Sequence, residues 1–299
     1  MADQGKQEQK PEAAKAKAGG SPDFLSVGGL VLAVAAILGG LMMEGGKVKD
    51  ILQFTAALIV LGGTSGAVMV STPGPVLKGA LRRFAGVFHD SAPDMRAAIA
   101  EVIQYATKAR KSGLVSLEQE AEAIADPFLQ KALMLAVDGT DLQELRGMLE
   151  LEMEIEERHA EAEAKVFESA GGFAPTIGII GAVLGLIQVM KNLANIDEVG
   201  HGIAVAFVAT VYGVASANLL FLPAAAKIKA RAHAATQRKE LILEAACGIV
   251  EGMNPKLLAV KLEAYARGVP AKTSKPKEAA KDATKAGKEG AEAPAEAGA

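Results

Sequence analysis

The sequence predicts an all-α membrane protein: four transmembrane helices, with a helical cytoplasmic domain inserted between spans 2 and 3. Three observations predict it. Four runs of about 20 residues carry no charge, and at a rise of roughly 1.5 Å per residue each covers about 30 Å, one hydrocarbon core. Mean hydropathy is +0.23 although 22% of the residues are charged, so charges and apolar runs are segregated. Between the second and third runs, apolar residues recur three and four apart, the spacing of helices that bury one face.

Residues 1–22 are polar and rich in Lys, Gln, Ala and Gly, a composition expected to stay disordered. Phe24–Met43 follows as the first uncharged run. A secretory signal has a shorter apolar core and a small-residue cleavage site, so this run reads as a retained span. Glu44, Lys47, Lys49 and Asp50 form a short polar link to the second span, Ile51–Val70, which Gly62, Gly63, Thr64, Ser65 and Gly66 interrupt. Gly62 and Gly66 are four apart, the spacing that lets helix backbones approach in lipid.

Residues 71–169 then read as a polar helical domain almost free of turn residues. Leu77, Leu81, Phe84 and Phe88 fall at helical spacing, as do Ile99, Val102, Ile103 and Ala106. Asp141 is placed to cap a helix ending near Ser169, and that helix carries eight glutamates between Glu144 and Glu163. Such a run reads as a solvated face or as a docking surface for a basic partner.

The third span, Gly171–Met190, has Pro175 near its start and Gly178, Gly181 and Gly185 along one side, features of a helix packed inside an assembly. A short link leads to the fourth span, Gly202–Ala226. Lys227–Val250 continues as an amphipathic helix, Asn254-Pro255 turns the chain, and Lys256–Tyr265 makes one more short helix. The organisation is thus an arm (1–22), spans one and two (23–70), the inserted domain (71–169), spans three and four (170–226), C-terminal helices (227–268) and a disordered tail (269–299).

Basic residues set the orientation. The N-terminal arm holds four Lys, the inserted domain eleven Lys and Arg, and the segment after span 4 opens with Lys227, Lys229 and Arg231. The two short links hold only Lys47, Lys49 and Lys191, offset by four acids. The long segments are therefore expected in the cytoplasm, with both termini inside. Pro175 and Pro223 then lie near the cytoplasmic ends of their spans at one level, as a pair of hinges or as markers of helix termini.

Composition excludes several functions. A net charge of −3 leaves no electrostatic footprint for nucleic acid. The single Cys247 gives no disulfide framework and no Cys-based metal site, and the four His are scattered, away from any nucleophile. No cofactor is expected. No span contains Asp, Glu, Lys or Arg. Chains accept the roughly 2.5–3.5 kcal/mol cost of a central charge where ions must be handled, so a titrating carrier is expected to come from a second polypeptide. The spans do hold Thr176, Gln188, Thr210, Tyr212, Ser216 and Asn218, as interhelical glue or as back-bonding groups. Ala182 and Thr210 both fall near mid-membrane.

The two-plus-two arrangement resembles the MotA/PomA family of flagellar stator subunits. Residues 174–187, APTIGIIGAVLGLI, resemble that family's third helix. Lys108, Arg110, Gly113, Ser116, Leu117 and Glu118 match its K-x-R-x-x-G-x-x-S-L-E stretch, and GIVEGMNPKLLAVKL resembles its C-terminal Gly-x-Asn-Pro segment. The similarity spans about residues 24–268 and its motifs fall in order. It implies a subunit of the bacterial inner membrane, a homo-oligomer of five copies around a MotB-like single-span partner that carries the ion-binding Asp. It implies torque delivered to a FliG-like rotor protein, with Arg110 and Glu118, near Lys108, on the rotor interface. It places Pro175 and Pro223 on two prolines of conformational coupling, and Thr210, with Ala182 and Thr176, along the ion path. Sodium-type members tend to carry Thr where this chain has Ala182, so the implied ion is H+, with Na+ the alternative. The TolQ/ExbB-like energy transducers are the nearest rival, but they have three spans, and the closely linked pair Phe24–Met43 and Ile51–Val70 argues against them. A stand-alone solute transporter is opposed by the lack of broken helices or buried charge near the midplane.

Overall fold

In the computed structural model, residues 23–88 and 94–267 are described. The disordered arm and tail read from the sequence lie outside them. Helix α1, Phe24–Met43, begins where Asp23 accepts a hydrogen bond from the Ser26 amide and ends before Gly45, at φ 84°. A 3-10 turn, Val48–Ile51, is closed by the Lys47 amide donating to Asp50 at 2.8 Å. Helix α2, Phe54–Ser71, starts three residues beyond the expected Ile51, because that turn consumes the apolar residues before it. Leu58–Gly62 forms a π-turn inside α2, and such turns concentrate at functional sites.

The inserted domain is not almost free of turns. Pro73 admits α3 (Gly74–Gly86), Asp94 caps α4 (Met95–Ser112), and Gly113, at φ 83°, stops it. A 3-10 turn, Leu114–Leu117, leads to α5 (Glu118–Glu122), and Asp126 with Pro127 starts α6 (Pro127–Val137). Asp141 caps α7 as its spacing predicts, but α7 does not end near Ser169. It runs unbroken from Leu142 to Lys191, 50 residues, through Pro175, so the acidic helix and the third span are one rod. Helix α8 likewise runs from Ile196 to Val250, 55 residues, with a π-turn at Ala217–Phe221 just before Pro223. A proline lacks the N–H for the carbonyl one turn back and its ring presses on that turn, which a widened turn relieves. Helix α9, Pro255–Ala266, closes the chain after an Asn254 cap.

Neither proline marks a helix terminus, and they do not share one level. Pro175 abuts Gly213, whose added Cβ would lie 3.2 Å from the Pro175 Cα. Gly213 is ten residues before Pro223, about 15 Å along the helix. The two bends are therefore staggered.

Among the described residues, three apolar cores hold the chain together. The largest lies in the polar domain, where α4, α6 and α9 pack on the start of α7 and the end of α8 through Val102, Leu133, Leu149, Leu241 and Leu258. A second, with Phe84 stacked on Phe167 at 5.2 Å, joins α3 to the middle of α7 and to Ala225 and Ile228 of α8. Leu77 and Phe88 join it as their spacing predicts, whereas Leu81 is 59% exposed. The third lies within the spans, where Ala56 and Val60 of α2 meet Val208 and Ala209. Helix α1 buries none of its residues.

Candidate functional site

The third and fourth spans meet backbone to backbone. A Cβ on Gly178 would lie 2.9 Å from the Ala209 carbonyl oxygen, and one on Gly185 2.7 Å from the Gly202 oxygen and 2.8 Å from the Ala206 nitrogen. Gly181 faces Ala209, and Gly213 faces Ala174 and Pro175. The small residues of the third span thus do what their spacing predicts, and Gly202, Ala206, Ala209 and Gly213 supply the facing surface that the sequence reading missed. Without a hydrophobic drive between helices in lipid, such contact rests on dispersion, which only small residues permit. The Gly62/Gly66 pair behaves differently. Both are exposed with no close neighbour beyond their own turn, and it is Gly63 that approaches α7, where an added Cβ would lie 2.8 Å from Ile177 Cγ2.

This seam fixes the residues read as the ion path. Thr210 lies beside Gly178, and its hydroxyl donates to the Ala206 carbonyl at 3.3 Å. Ala182 is half-buried, next to Gly181, and so shares the level of Thr210. Thr176, two residues before Gly178 and six before Ala182, is exposed and donates to the Phe173 carbonyl at 2.8 Å. Ser216 and Asn218 also bond carbonyls of their own helix. Tyr212 is instead interhelical: its hydroxyl donates to the Ile51 carbonyl at 2.5 Å and accepts from the Gln53 amide, fastening the start of α2 to α8. Among the described residues, Thr64 Oγ1 is the buried side-chain oxygen left without a partner. No group of three or more His, Cys, Asp or Glu among the described residues could hold a metal ion.

The second candidate surface is a corner at the end of α4. Gly113 turns the chain, the Ser116 hydroxyl donates to the Gly113 carbonyl at 2.6 Å, and Leu117 is fully buried as its plug. Lys108 pairs with Glu120 at 2.6 Å along this corner, both partly open to solvent, tying α4 to α5. Arg110 and Glu118 point outward, both exposed. The structure therefore divides the three residues singled out in the sequence: two present charge to the surroundings, and Lys108 holds the corner. Glu120 is the member that the motif did not reveal.

Below the corner, Glu244 of α8 receives Arg146 at 2.9 Å and Lys261 at 2.5 Å, locking α7, α8 and α9. The Lys261 hydrogen bond, together with Arg146 and against burial, holds its carboxyl below the usual carboxylate range. Burial raises Asp126, but the bond from Arg238 and the capped amides of α6 bring it below its ordinary value.

Comparison with known proteins gives the same architecture. The Motility protein A N-terminal model matches residues 27–113, and the MotA/TolQ/ExbB proton channel family model matches residues 120–241. The chain is 34% identical to Motility protein A of Bacillus subtilis over 247 residues, 81% of this chain and 90% of the relative. The chain belongs to the Motility protein A family. A solved structure of C. jejuni MotAB superposes with a TM-score of 0.80 at 34% identity, covering 85% of this chain and 99% of that one. The flagellar MotAB stator complex from Bacillus subtilis gives 0.76 at 33% identity, over 83% and 97%. The chain is thus a membrane protein of the flagellar stator, a channel-forming component and not an enzyme.

Proposed function

We propose that several copies of this chain, five by the family resemblance, surround a MotB-like single-span partner in the bacterial inner membrane and couple proton flow to torque. One observation carries the reading. Spans three and four close tightly on each other, yet none of the four spans contains Asp, Glu, Lys or Arg, so the titrating Asp belongs to the partner. Moving one charge through 100 mV yields about 2.3 kcal/mol, enough to tilt a balanced conformational equilibrium. In this reading the polar domain and both termini are cytoplasmic, in keeping with the basic residues of the long segments. Arg110 and Glu118 meet a FliG-like rotor protein. Pro175 and Pro223 let the long α7 and α8 transmit motion from the spans to the corner.

The proton is favoured over sodium because Ala182 stands at the level of Thr210 and offers no oxygen, and the Thr176 and Thr210 hydroxyls bond their own helices. Ion flux into proteoliposomes tests the reading directly: flux is expected with the partner and absent without it. Swimming speed across a range of external sodium at fixed pH tests the ion, and a strong sodium requirement would overturn the proton assignment.

A further inference from the structure

The proline-bearing turns of the two long helices meet at one contact, although the prolines themselves lie at different levels. Pro175 has no N–H to give to the Gly171 carbonyl one turn back, and Pro223 has none for the Leu219 carbonyl. Helices bend most readily where the ladder loses such a bond. In α8 the π-turn Ala217–Phe221 accompanies that loss, and it ends at Leu222, the residue before Pro223. Gly171 is buried, and a Cβ there would lie 2.6 Å from Leu222 Cδ2, 2.7 Å from its Cγ and 3.7 Å from Cδ1. The branched end of Leu222 thus straddles a notch that only glycine leaves open. A helical leucine leans toward the N-terminus of its own helix, so Leu222 reaches back along α8 to this point. Leu222 is 40% exposed and belongs to none of the three cores, so its seat in α7 is not a by-product of core packing. The contact lies between the seam at Gly213, which faces Ala174 and Pro175, and the second core, which includes Ala170 and Ala225.

We propose that Leu222 is a positioning residue for torque: seated in the Gly171 notch, it makes the turns at Pro175 and Pro223 bend together. Two softened turns at different levels bend independently unless a side chain bridges them. Close-packed side chains have little room to compress, so a knob held on both flanks carries displacement from one helix to the other. Bending of α8 at Pro223 moves Leu222, and Leu222 carries with it the turn of α7 that ends at Pro175. The glycine is required because any Cβ would unseat the leucine. This role rests on the proposed transmission of motion through both prolines, and it names the contact that keeps the two helices in step.

The test uses the full chain, expressed with its partner in cells lacking the native copy, in bead assays of single motors whose rotation restarts in steps as units join. The number of steps reports assembly, and the speed gained per step reports torque per unit. Gly171→Ala adds one carbon to the notch, and Leu222→Val removes one from the knob. Each is expected to lower the gain per step by about twofold or more with the number of steps unchanged, because packing at a tight contact is sensitive to a single carbon. The double variant Gly171→Ala/Leu222→Val restores the total volume and is expected to regain most of the loss, the non-additivity of residues in contact. A wild-type gain per step in both single variants overturns the role, as does a double variant that falls below both singles. Fewer steps of wild-type size also overturn it, since that is the mark of a purely structural contact. Pro175→Ala and Pro223→Ala separate the two levels of the reading. If they lower the gain per step and Gly171→Ala does not, the Leu222 contact alone is wrong; if none of them does, transmission through the prolines falls with it.

Discussion

Gly213→Ala is the sharpest test of the seam between the third and fourth spans. The added methyl carbon would fall 2.5 Å from the Ala174 carbonyl oxygen, 3.1 Å from the Gly178 Cα and 3.2 Å from the Pro175 Cα. All three neighbours are backbone atoms, so no side chain can swing aside and the helices themselves must part. Non-bonded carbon contacts are optimal at about 3.5–4.0 Å, so the pair must open by roughly 1 Å at its tightest point. Overpacking of this kind costs about 1–3 kcal/mol. Alanine also gains about 1 kcal/mol of helix propensity over glycine. Gly147→Ala, on the polar half of α7 with nothing within 4 Å of its Cβ, carries that gain alone and serves as the control. The thermal midpoints of the two purified variants should therefore differ by the overpacking cost, with Gly213→Ala the lower, and swimming speed should fall in that variant only. Midpoints and speeds that coincide in the two variants would refute the backbone-contact account.

Charge reversal at the α4 corner should separate its two roles. Arg110→Glu or Glu118→Lys is expected to reduce torque in tethered cells without moving the thermal midpoint, because both side chains are exposed. Lys108→Glu should lower stability by up to about 1 kcal/mol, the range of exposed pairs, and be rescued by Glu120→Lys in the same chain. Tyr212→Phe removes the bond to Ile51 and should cost about 1 kcal/mol, read as a lower midpoint and faster proteolysis at the Lys47–Gln53 link. Glu244 should make the polar domain acid-sensitive. Its folded pKa is lowered, so its contribution is present above the unfolded value of about 4.3 and is lost as pH falls through the folded one. The midpoint of wild type should then drop below about pH 4 more steeply than that of Glu244→Gln, which is already lower at neutral pH.

Much of the fold was legible because the strongest signals are one-dimensional. An uncharged run of membrane length needs no partner to declare itself, and Phe24–Met43 emerged with its sequence-read bounds. Asp141 and Asn254 cap helices through bonds to amides two residues on, so their effect is local, whereas the Asp94 and Asp126 caps of the inserted domain went unread. The missed boundaries were those where tertiary packing outvoted a local rule. Pro175 and Pro223 looked able to end helices, yet neighbouring helices hold α7 and α8 continuous around them. The Gly62/Gly66 spacing predicted close contact, but a π-turn rotates α2 so that Gly63 takes that place.

The candidate sites divide in the same way. Motif spacing placed Arg110 and Glu118 on the two sides of a turn, since Gly113 and Ser116 make that turn within a few residues. The sequence by itself determined which stretches enter the membrane and that none brings its own charge, because transfer into lipid is a sum over consecutive side chains. Only the tertiary structure decided that Lys108 belongs to Glu120, that Tyr212 clasps Ile51, and that Gly213 opens room for Pro175. Those pairings depend on which helix faces which, and that is set by packing across the whole bundle.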